Sequence, residues 1–252
     1  TKTYETTLTA YDSYGRISSQ TIDRSQQGMP SSHIVMEYSY DSFGRISEAR
    51  TTTTTESQQG AVTTVDRISY TYDQYGRILS QVSNKTNADG TGTTDTTNYN
   101  YDSYGRILNS NTVHTNADGS KYTINSVYEY DSFGRVSKTT SVKTQEMDGK
   151  TQASTDITTY TYDVYNRTAS ATTVHTNSDA TVTKDVASYQ YDSLGRISKQ
   201  ATVHTNADGT VTTKEDNYSY DENGEIVILP VDTEEGEWRD NPNYGLGIAY
   251  SA

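Results

Sequence analysis

The stretch Tyr99-Asn-Tyr-Asp-Ser-Tyr-Gly-Arg-Ile107 is the clearest copy of a unit that recurs along the chain. Its Tyr-Asp pair returns every 29 or 32 residues. Self-similarity at a period of this size is typical of repeat proteins, in which each unit packs against its neighbours. The motif tyrosines are Tyr11, Tyr40, Tyr72, Tyr101, Tyr130, Tyr162, Tyr191 and Tyr220.

The Gly of the unit predicts a tight turn with one left-handed residue. Copy six has Asn166 at this place, and Asn is the residue that tolerates this conformation best after Gly. The Asp that starts the turn can accept hydrogen bonds from amides that follow it. We expect one turn geometry at Asn166 and at Gly15, Gly44, Gly76, Gly105, Gly134 and Gly195. An Arg follows the turn Gly or Asn in seven copies, whereas copy eight has Glu225. These residues are Arg16, Arg45, Arg77, Arg106, Arg135, Arg167 and Arg196.

A second turn alternates with the first. It reads Asn-Ala-Asp-Gly at 87–90, 116–119 and 206–209, which favours a type I turn followed by a left-handed Gly. Segments rich in Thr, Val, Ile and Tyr, residue types that favour strands, lie between the turns. The sequence therefore predicts an all-β fold, an antiparallel β-hairpin repeat meander or solenoid of about sixteen strands. The repeats cover residues 1–226, and a non-repeat tail covers 227–252.

The register of the second hairpin has two possible solutions. If an even-numbered loop closes it, Ile197 and Val203 share a face with Tyr218 and Tyr220. If a three-residue loop with a bulge closes it, the faces invert and Arg196 lies beside Tyr220, where a cation–π contact can form. Both solutions align identical side chains into ladders of Tyr and Arg.

Composition limits both the core and the partners. Hydrophobic residues make up 31% of the 252 residues, below the roughly 45–50% of ordinary globular domains, and 23 residues are Tyr. This composition favours a thin apolar layer formed by Tyr. The net charge of −13 argues against binding nucleic acid, and no apolar run is long enough for membrane insertion.

The Tyr-Asp-x-x-Gly-Arg units resemble the YD repeats, also called RHS repeats, of bacterial Rhs and wall-associated proteins, toxin-complex subunits and teneurins. The resemblance covers roughly residues 4–226. It implies a long β-strip that in this family coils into a hollow shell, often around a toxin, and a secreted or surface-bound location. We therefore expect an extracellular or cell-surface protein, secreted by a bacterium.

No motif for nucleophilic, acid–base or phosphate chemistry is present, so the sequence predicts neither an enzyme nor a cofactor. His33, His114, His175 and His204 are interpreted as exposed strand-end residues, with a metal ladder as the alternative. The repeated turn carboxylates are interpreted as turn caps, with Asp102, Asp131 and Asp192 as weak calcium candidates. Asn84, Asn166 and Asn217 fit the N-glycosylation pattern.

The tail carries the most apolar segment, Ile226-Val-Ile-Leu-Pro-Val231, and the only Trp, Trp238. We expect Ile226, Val227, Ile228, Leu229, Val231 and Trp238 either to mediate head-to-tail self-association or to fold back as a cap. The favoured function is a structural subunit of a surface filament or adhesin stalk. The alternatives are a module that binds cell-wall or host glycans along its Tyr strips, and a fragment of a toxin-encapsulating shell.

Overall fold

The computed structural model describes residues 3–26, 29–58, 60–227, 231–232 and 238–239. Every regular element among them is a β-strand, and fifteen strands form one sheet in strict chain order. This confirms the predicted all-β antiparallel meander. The strands are β1 Thr3–Tyr11, β2 Ile17–Gln26, β3 Ser31–Tyr40, β4 Ile46–Ser57, β5 Gly60–Tyr72, β6 Ile78–Thr86, β7 Gly92–Tyr101, β8 Ile107–Thr115, β9 Lys121–Tyr130, β10 Val136–Met147, β11 Lys150–Tyr162, β12 Thr168–Thr176, β13 Val182–Tyr191, β14 Ile197–Thr205 and β15 Val211–Asn217.

Two compact units divide the chain. Residues 1–125 and 144–151 form the first unit, and residues 126–143 and 152–252 form the second. The first unit contains β1 to β8, and the second contains β12 to β15. Copies of the Tyr-Asp turn lie in both, so the local geometry of the repeat can be compared between them.

Each Tyr-Asp turn is closed by the same two backbone hydrogen bonds. In the first copy, the amide of Asp12 donates to the carbonyl of Arg16 over 2.8 Å, and the amide of Gly15 donates to the carbonyl of Asp12 over 3.0 Å. This is a three-residue loop built on a type I turn with a left-handed last residue. Gly15 has φ 79°, and Asn166 takes the same conformation in copy six with φ 64°, as its position in the repeat predicts.

The second turn has the same form, which decides the register. The amide of Asn206 donates to the carbonyl of Thr210, and the amide of Gly209 donates to the carbonyl of Asn206. The loop therefore has three residues, and the second of the two registers is the correct one. Arg196 accordingly lies over the ring of Tyr220, at 4.2 Å from its centroid.

A bulge follows the Tyr-Asp turn in copies one to four, six and seven. Tyr101 pairs with Ile107, but Asn100 pairs with Asn109, so Leu108 has no direct partner across the hairpin. The extra residue increases the local twist and re-aims the side chains near the turn. The bulged Leu108 is 43% exposed, which places an apolar side chain at the turn edge of the sheet.

The described residues contain no fully buried side chain, and Asp216 is their only buried polar residue. Stability must therefore come from backbone pairing and from ladders of half-buried side chains on neighbouring strands. The described residues also include no helix with the length and apolar character needed to span a membrane.

The beginning of the tail pairs with the last repeat. Strand β16, Ser219–Tyr220, pairs with β17, Ile226–Val227, in an antiparallel hairpin. A further hairpin joins β18, Val231–Asp232, to β19, Trp238–Arg239. Of the residues predicted to mediate assembly, Ile228 and Leu229 lie outside the described residues.

Candidate functional site

The repeated turn is organised by its carboxylate. In the third copy, Oδ1 of Asp73 accepts hydrogen bonds from the amides of Tyr75 and Arg77, over 2.8 and 2.9 Å. Oδ2 accepts a hydrogen bond from Nε of Arg77 over 2.6 Å. Desolvation opposes ionisation, but these hydrogen bonds and the charge of Arg77 hold the pKa of Asp73 below its usual value.

The arginine that this carboxylate fixes joins one repeat to the next. The guanidinium of Arg77 lies 5.0 Å from the ring centroid of Tyr75 in its own turn and 4.3 Å from that of Tyr101 in the next repeat. The hydroxyl of Tyr101 donates to the carbonyl of Ile78 over 2.6 Å. Burial raises the pKa of this phenol, although the Arg77 charge acts in the opposite direction. The predicted ladder is thus a stack in which Arg lies between two aromatic rings.

The same stack recurs in both units. Further contacts of Arg with the Tyr of the next repeat, all at 4.2 or 4.3 Å, are Arg16–Tyr40, Arg45–Tyr72, Arg135–Tyr162, Arg167–Tyr191 and Arg196–Tyr220. The phenol hydroxyls of these tyrosines donate to the carbonyls of Ile17, Ile46, Val136, Thr168 and Ile197. The Arg and Tyr of the motif therefore form contacts between neighbouring repeats.

Copy six shows a second use of the turn position. Nη1 of Arg135 donates to Oδ1 of Asn166 over 2.7 Å, so the side chain that replaces Gly accepts a hydrogen bond from the preceding repeat. In a Gly copy, an added Cβ at Gly105 would lie 3.5 Å from Nη1 of Arg77, which is ordinary van der Waals contact. The position therefore accepts a small side chain if its backbone conformation allows one.

The carboxylates of the calcium candidates already accept hydrogen bonds within their own turns. The carboxylates of Asp102, Asp131 and Asp192 each accept hydrogen bonds from two backbone amides and from the guanidinium of the Arg four residues later. Among the described residues, no group of three or more His, Asp or Glu side chains is arranged to hold a metal ion. The geometry is that of a turn cap, which agrees with the interpretation favoured by the sequence.

The histidines face carboxylates that the sequence reasoning did not connect with them. Nδ1 of His204 lies 2.7 Å from Oδ1 of Asp185, its direct partner on the neighbouring strand, and Nε2 lies 3.0 Å from Oδ1 of Asn206. The equivalent pairs are Asp23–His33, Asp95–His114 and Asp156–His175. In three of the four pairs the Asp precedes the His by 19 residues, a spacing that could have revealed them.

We expect the Asp185→Asn substitution to lower the pKa of His204. The hydrogen bonds to Asp185 and Asn206 raise this pKa above its ordinary value of 6.5. The pair therefore contributes stability fully below about pH 6.5, and the contribution is lost as the pH rises through the raised pKa. An NMR titration of the imidazole measures the shift, and urea midpoints across this pH range measure the linkage.

The Asp208→Asn variant is the control, because Asp208 caps the adjacent turn through the amide and hydroxyl of Thr210. It removes the same charge nearby without removing a partner of His204. An equal decrease in the His204 pKa in both variants would contradict a specific Asp185–His204 interaction.

Two of the three candidate glycosylation residues, Asn84 and Asn166, have side-chain hydrogen-bond partners. Asn84 accepts a hydrogen bond from Oγ1 of Thr94 over 2.8 Å, and Asn166 accepts the bond from Arg135. Asn217 lies at the end of strand β15. Glycosylation at these three residues stays a prediction.

A row of exposed rings at the turns was missed by the sequence reasoning. The residue before the turn Gly or Asn is aromatic in six copies, and its side chain is 73–83% exposed in all of them. The recurrence of an aromatic residue inside a polar turn was the available signal. These residues are Tyr14, Phe43, Tyr75, Tyr104, Phe133 and Tyr165.

The meander and its repeated turn network define the class of protein, an all-β protein with a repeat-like fold. No family model matches the chain, and no curated protein is similar to it. The resemblance to YD repeats therefore rests on the motif in the sequence.

Several solved structures are similar to the chain over most of its length, and three of them are described here. A porin-like protein from Bacteroides vulgatus is 15% identical, with 85% of this chain and 92% of that chain covered, at a TM-score of 0.36. A porin-like protein from Bacteroides uniformis is 12% identical, with 77% of this chain and 92% of that chain covered, at a TM-score of 0.30. TcdB2-TccC3-TEV is 16% identical, with 88% of this chain but 16% of that chain covered, at 0.23. The toxin-shell hypothesis stays a prediction.

Proposed function

We propose that this protein is an extracellular structural repeat protein, a subunit of a surface filament or of an adhesin stalk. The observation that carries the proposal is the stack of each Arg on the Tyr of the next repeat, as between Arg77 and Tyr101. Each repeat thereby binds its neighbour through the same contact, which suits a scaffold whose stability is built from nearest-neighbour interfaces. The Arg and Tyr of the motif form this structural contact in successive copies, which gives no support to a catalytic role for them.

A filament also requires contacts between copies of the chain. Among the strands that the structure describes, β1 pairs only with β2 and therefore lies at an edge of the sheet. An edge strand presents backbone groups to which a further strand can add. At the tail, Ile226 and Val227 pair with Tyr220 and Ser219 of the same chain but are 38% and 37% exposed. We infer that β17 caps the last repeat and that its exposed apolar side chains contact the β1 edge of a second copy.

The substitution of both Ile226 and Val227 by Lys is expected to abolish self-association. Burying two ammonium groups against a strand edge is unfavourable, whereas the exposed positions tolerate Lys in the monomer. Light scattering over a concentration series and negative-stain electron microscopy measure the assembly of the full-length chain.

The control is Val211→Lys, because Val211 is an apolar strand residue with 56% exposure that lies outside β17. It should assemble as the unmodified protein does. A full-length protein that stays monomeric at every concentration, or a double variant that assembles normally, would overturn the filament proposal.

A further inference from the structure

Two arginines lie directly opposite each other on one face of the sheet in the first unit. Arg50 on β4 and Arg67 on β5 are cross-strand partners, so their side chains leave the sheet on the same side. The Cα atoms of direct antiparallel partners are about 5 Å apart, and like charges at this spacing destabilise the pair. Both side chains are half-exposed, so the two guanidiniums are accessible from solvent.

Two glutamates compensate this repulsion only in part. Nη2 of Arg67 lies 2.5 Å from Oε2 of Glu48, whereas Nη1 of Arg50 lies 3.5 Å from Oε2 of Glu37, at the limit of a hydrogen bond. Each guanidinium carries five N–H donors, and each glutamate faces only one of its nitrogens. Among the described residues, no further acceptor bonds to either guanidinium. Most donors of the pair therefore remain available to a ligand.

An amide extends this row of donors to a third strand. Asn84 on β6 is the direct partner of Arg67 and lies on the same face. Its Oδ1 accepts a hydrogen bond from Oγ1 of Thr94, which leaves the amide nitrogen as a donor. The row borders a groove with a volume of about 620 Å³, lined by Glu48, Arg50, Val65, Arg67, Asn84 and Thr86.

The chemistry of these groups selects the ligand. A row of unused N–H donors that carries two positive charges requires an acceptor with negative charge. Guanidiniums bind oxyanions with paired hydrogen bonds, and two of them match the charge of a sulfate or phosphate dianion. The net charge of −13 disfavours polyanions. Charges more than about 10 Å away are largely screened at 0.1 M salt, so one small anion can still bind.

We propose that Arg50, Arg67 and Asn84 form a binding site for a single tetrahedral oxyanion, inorganic sulfate or phosphate. The anion lies between the two guanidiniums and accepts hydrogen bonds from both, which replaces their repulsion by attraction to a shared partner. The amide of Asn84 donates a further bond. The site lies on the face of strands β4 to β6, apart from the β1 edge and β17. It therefore goes beyond the scaffold role and does not depend on filament formation.

The test is an NMR titration of the full-length protein with sodium sulfate and with sodium phosphate, at an ionic strength held constant with sodium chloride. We expect saturable shifts of the Nε–Hε signals of Arg50 and Arg67. Arg67→Gln should raise the Kd read from the Arg50 signal by at least about tenfold, because it removes hydrogen bonds to a charged group.

Arg24→Gln is the matched control for Arg67→Gln. Arg24 is also half-exposed and pairs with a glutamate, Glu5, at 2.7 Å. Its direct partners are Glu5 and Ser32, so no second arginine lies opposite it. The Arg24 signal should shift little with either salt, and Arg24→Gln should leave the Kd read from Arg50 unchanged.

A second pair of variants tests the site without removing an arginine. Glu48→Gln removes the carboxylate that competes for Arg67 and should lower the Kd several-fold, whereas Glu5→Gln removes the same charge beside Arg24 and should not change it. Urea unfolding checks that every variant is folded. Shifts that do not saturate, equal shifts of Arg24 and Arg67, or equal Kd values in Glu48→Gln and Glu5→Gln would overturn the proposal.

Discussion

Replacing Arg77 with Ala is expected to lower the free energy of unfolding by about 1–2 kcal/mol, the value of two cation–π contacts at half-exposed positions. The guanidinium lies between the rings of Tyr75 and Tyr101 and also holds the carboxylate of Asp73. The substitution removes the side chain that joins one repeat to the next. Equilibrium unfolding in urea, followed by circular dichroism, measures the change.

Arg67→Ala is the matched control for this prediction. Arg67 also forms an ion pair, with Glu48 at 2.5 Å, but its side chain is 55% exposed and none of the described cation–π contacts involves it. An isolated surface ion pair contributes little because water and salt screen it. We therefore expect a much smaller effect than that of Arg77→Ala.

A double-mutant cycle isolates the contact between repeats. Arg77→Ala and Tyr101→Leu should show a favourable coupling free energy, because each substitution alone already removes the stack. Additive effects of the two substitutions would contradict the assignment of the stack as the main contact between repeats.

Gly105→Ala is expected to destabilise the protein by about 1–2 kcal/mol, the usual cost of a left-handed conformation for an L-residue. Gly105 has φ 81°. An added Cβ would meet only Nη1 of Arg77, at 3.5 Å, so crowding contributes little and the loss comes from the backbone. Thermal and urea unfolding of the variant measure it.

Gly105→Asn is the informative comparison. Asn166 occupies the same turn position in copy six with φ 64° and accepts a hydrogen bond from Arg135. An Asn at 105 can accept the equivalent bond from Arg77, so we expect this variant to be clearly more stable than Gly105→Ala. Equal losses in the two variants would show that the Asn hydrogen bond contributes nothing.

Much of the fold could be predicted from local signals. The left-handed position at Asn166 followed from the few residue types that tolerate it, and the hairpin at Asn206 followed from its turn sequence. The all-β class followed from the alternation of two turn types with Thr- and Tyr-rich segments. These features depend on residues close in sequence, whose conformational preferences act without the rest of the molecule.

The candidate site was predicted less completely. The ladder of Tyr and Arg was expected, with the motif tyrosines interpreted as a thin apolar layer and a glycan-binding Tyr strip as the alternative. The structure covers Tyr101 with Arg77 and exposes Tyr75 instead. The difference arises because exposure at a turn depends on which way the bulge aims each side chain. The pairing of His204 with Asp185 was missed for a related reason, since cross-strand partners follow from the register.

The sequence by itself determined that this chain is a meander of hairpins with repeated left-handed turns, because period and turn chemistry are local properties. Only the tertiary structure decided which residues meet. Tyr101 and Ile78 are 23 residues apart, and a loop one residue longer would turn the side chains of the strand to the other face. The three-residue loop, closed by two backbone hydrogen bonds, places Arg on Tyr in successive repeats and leaves the turn aromatic open to solvent.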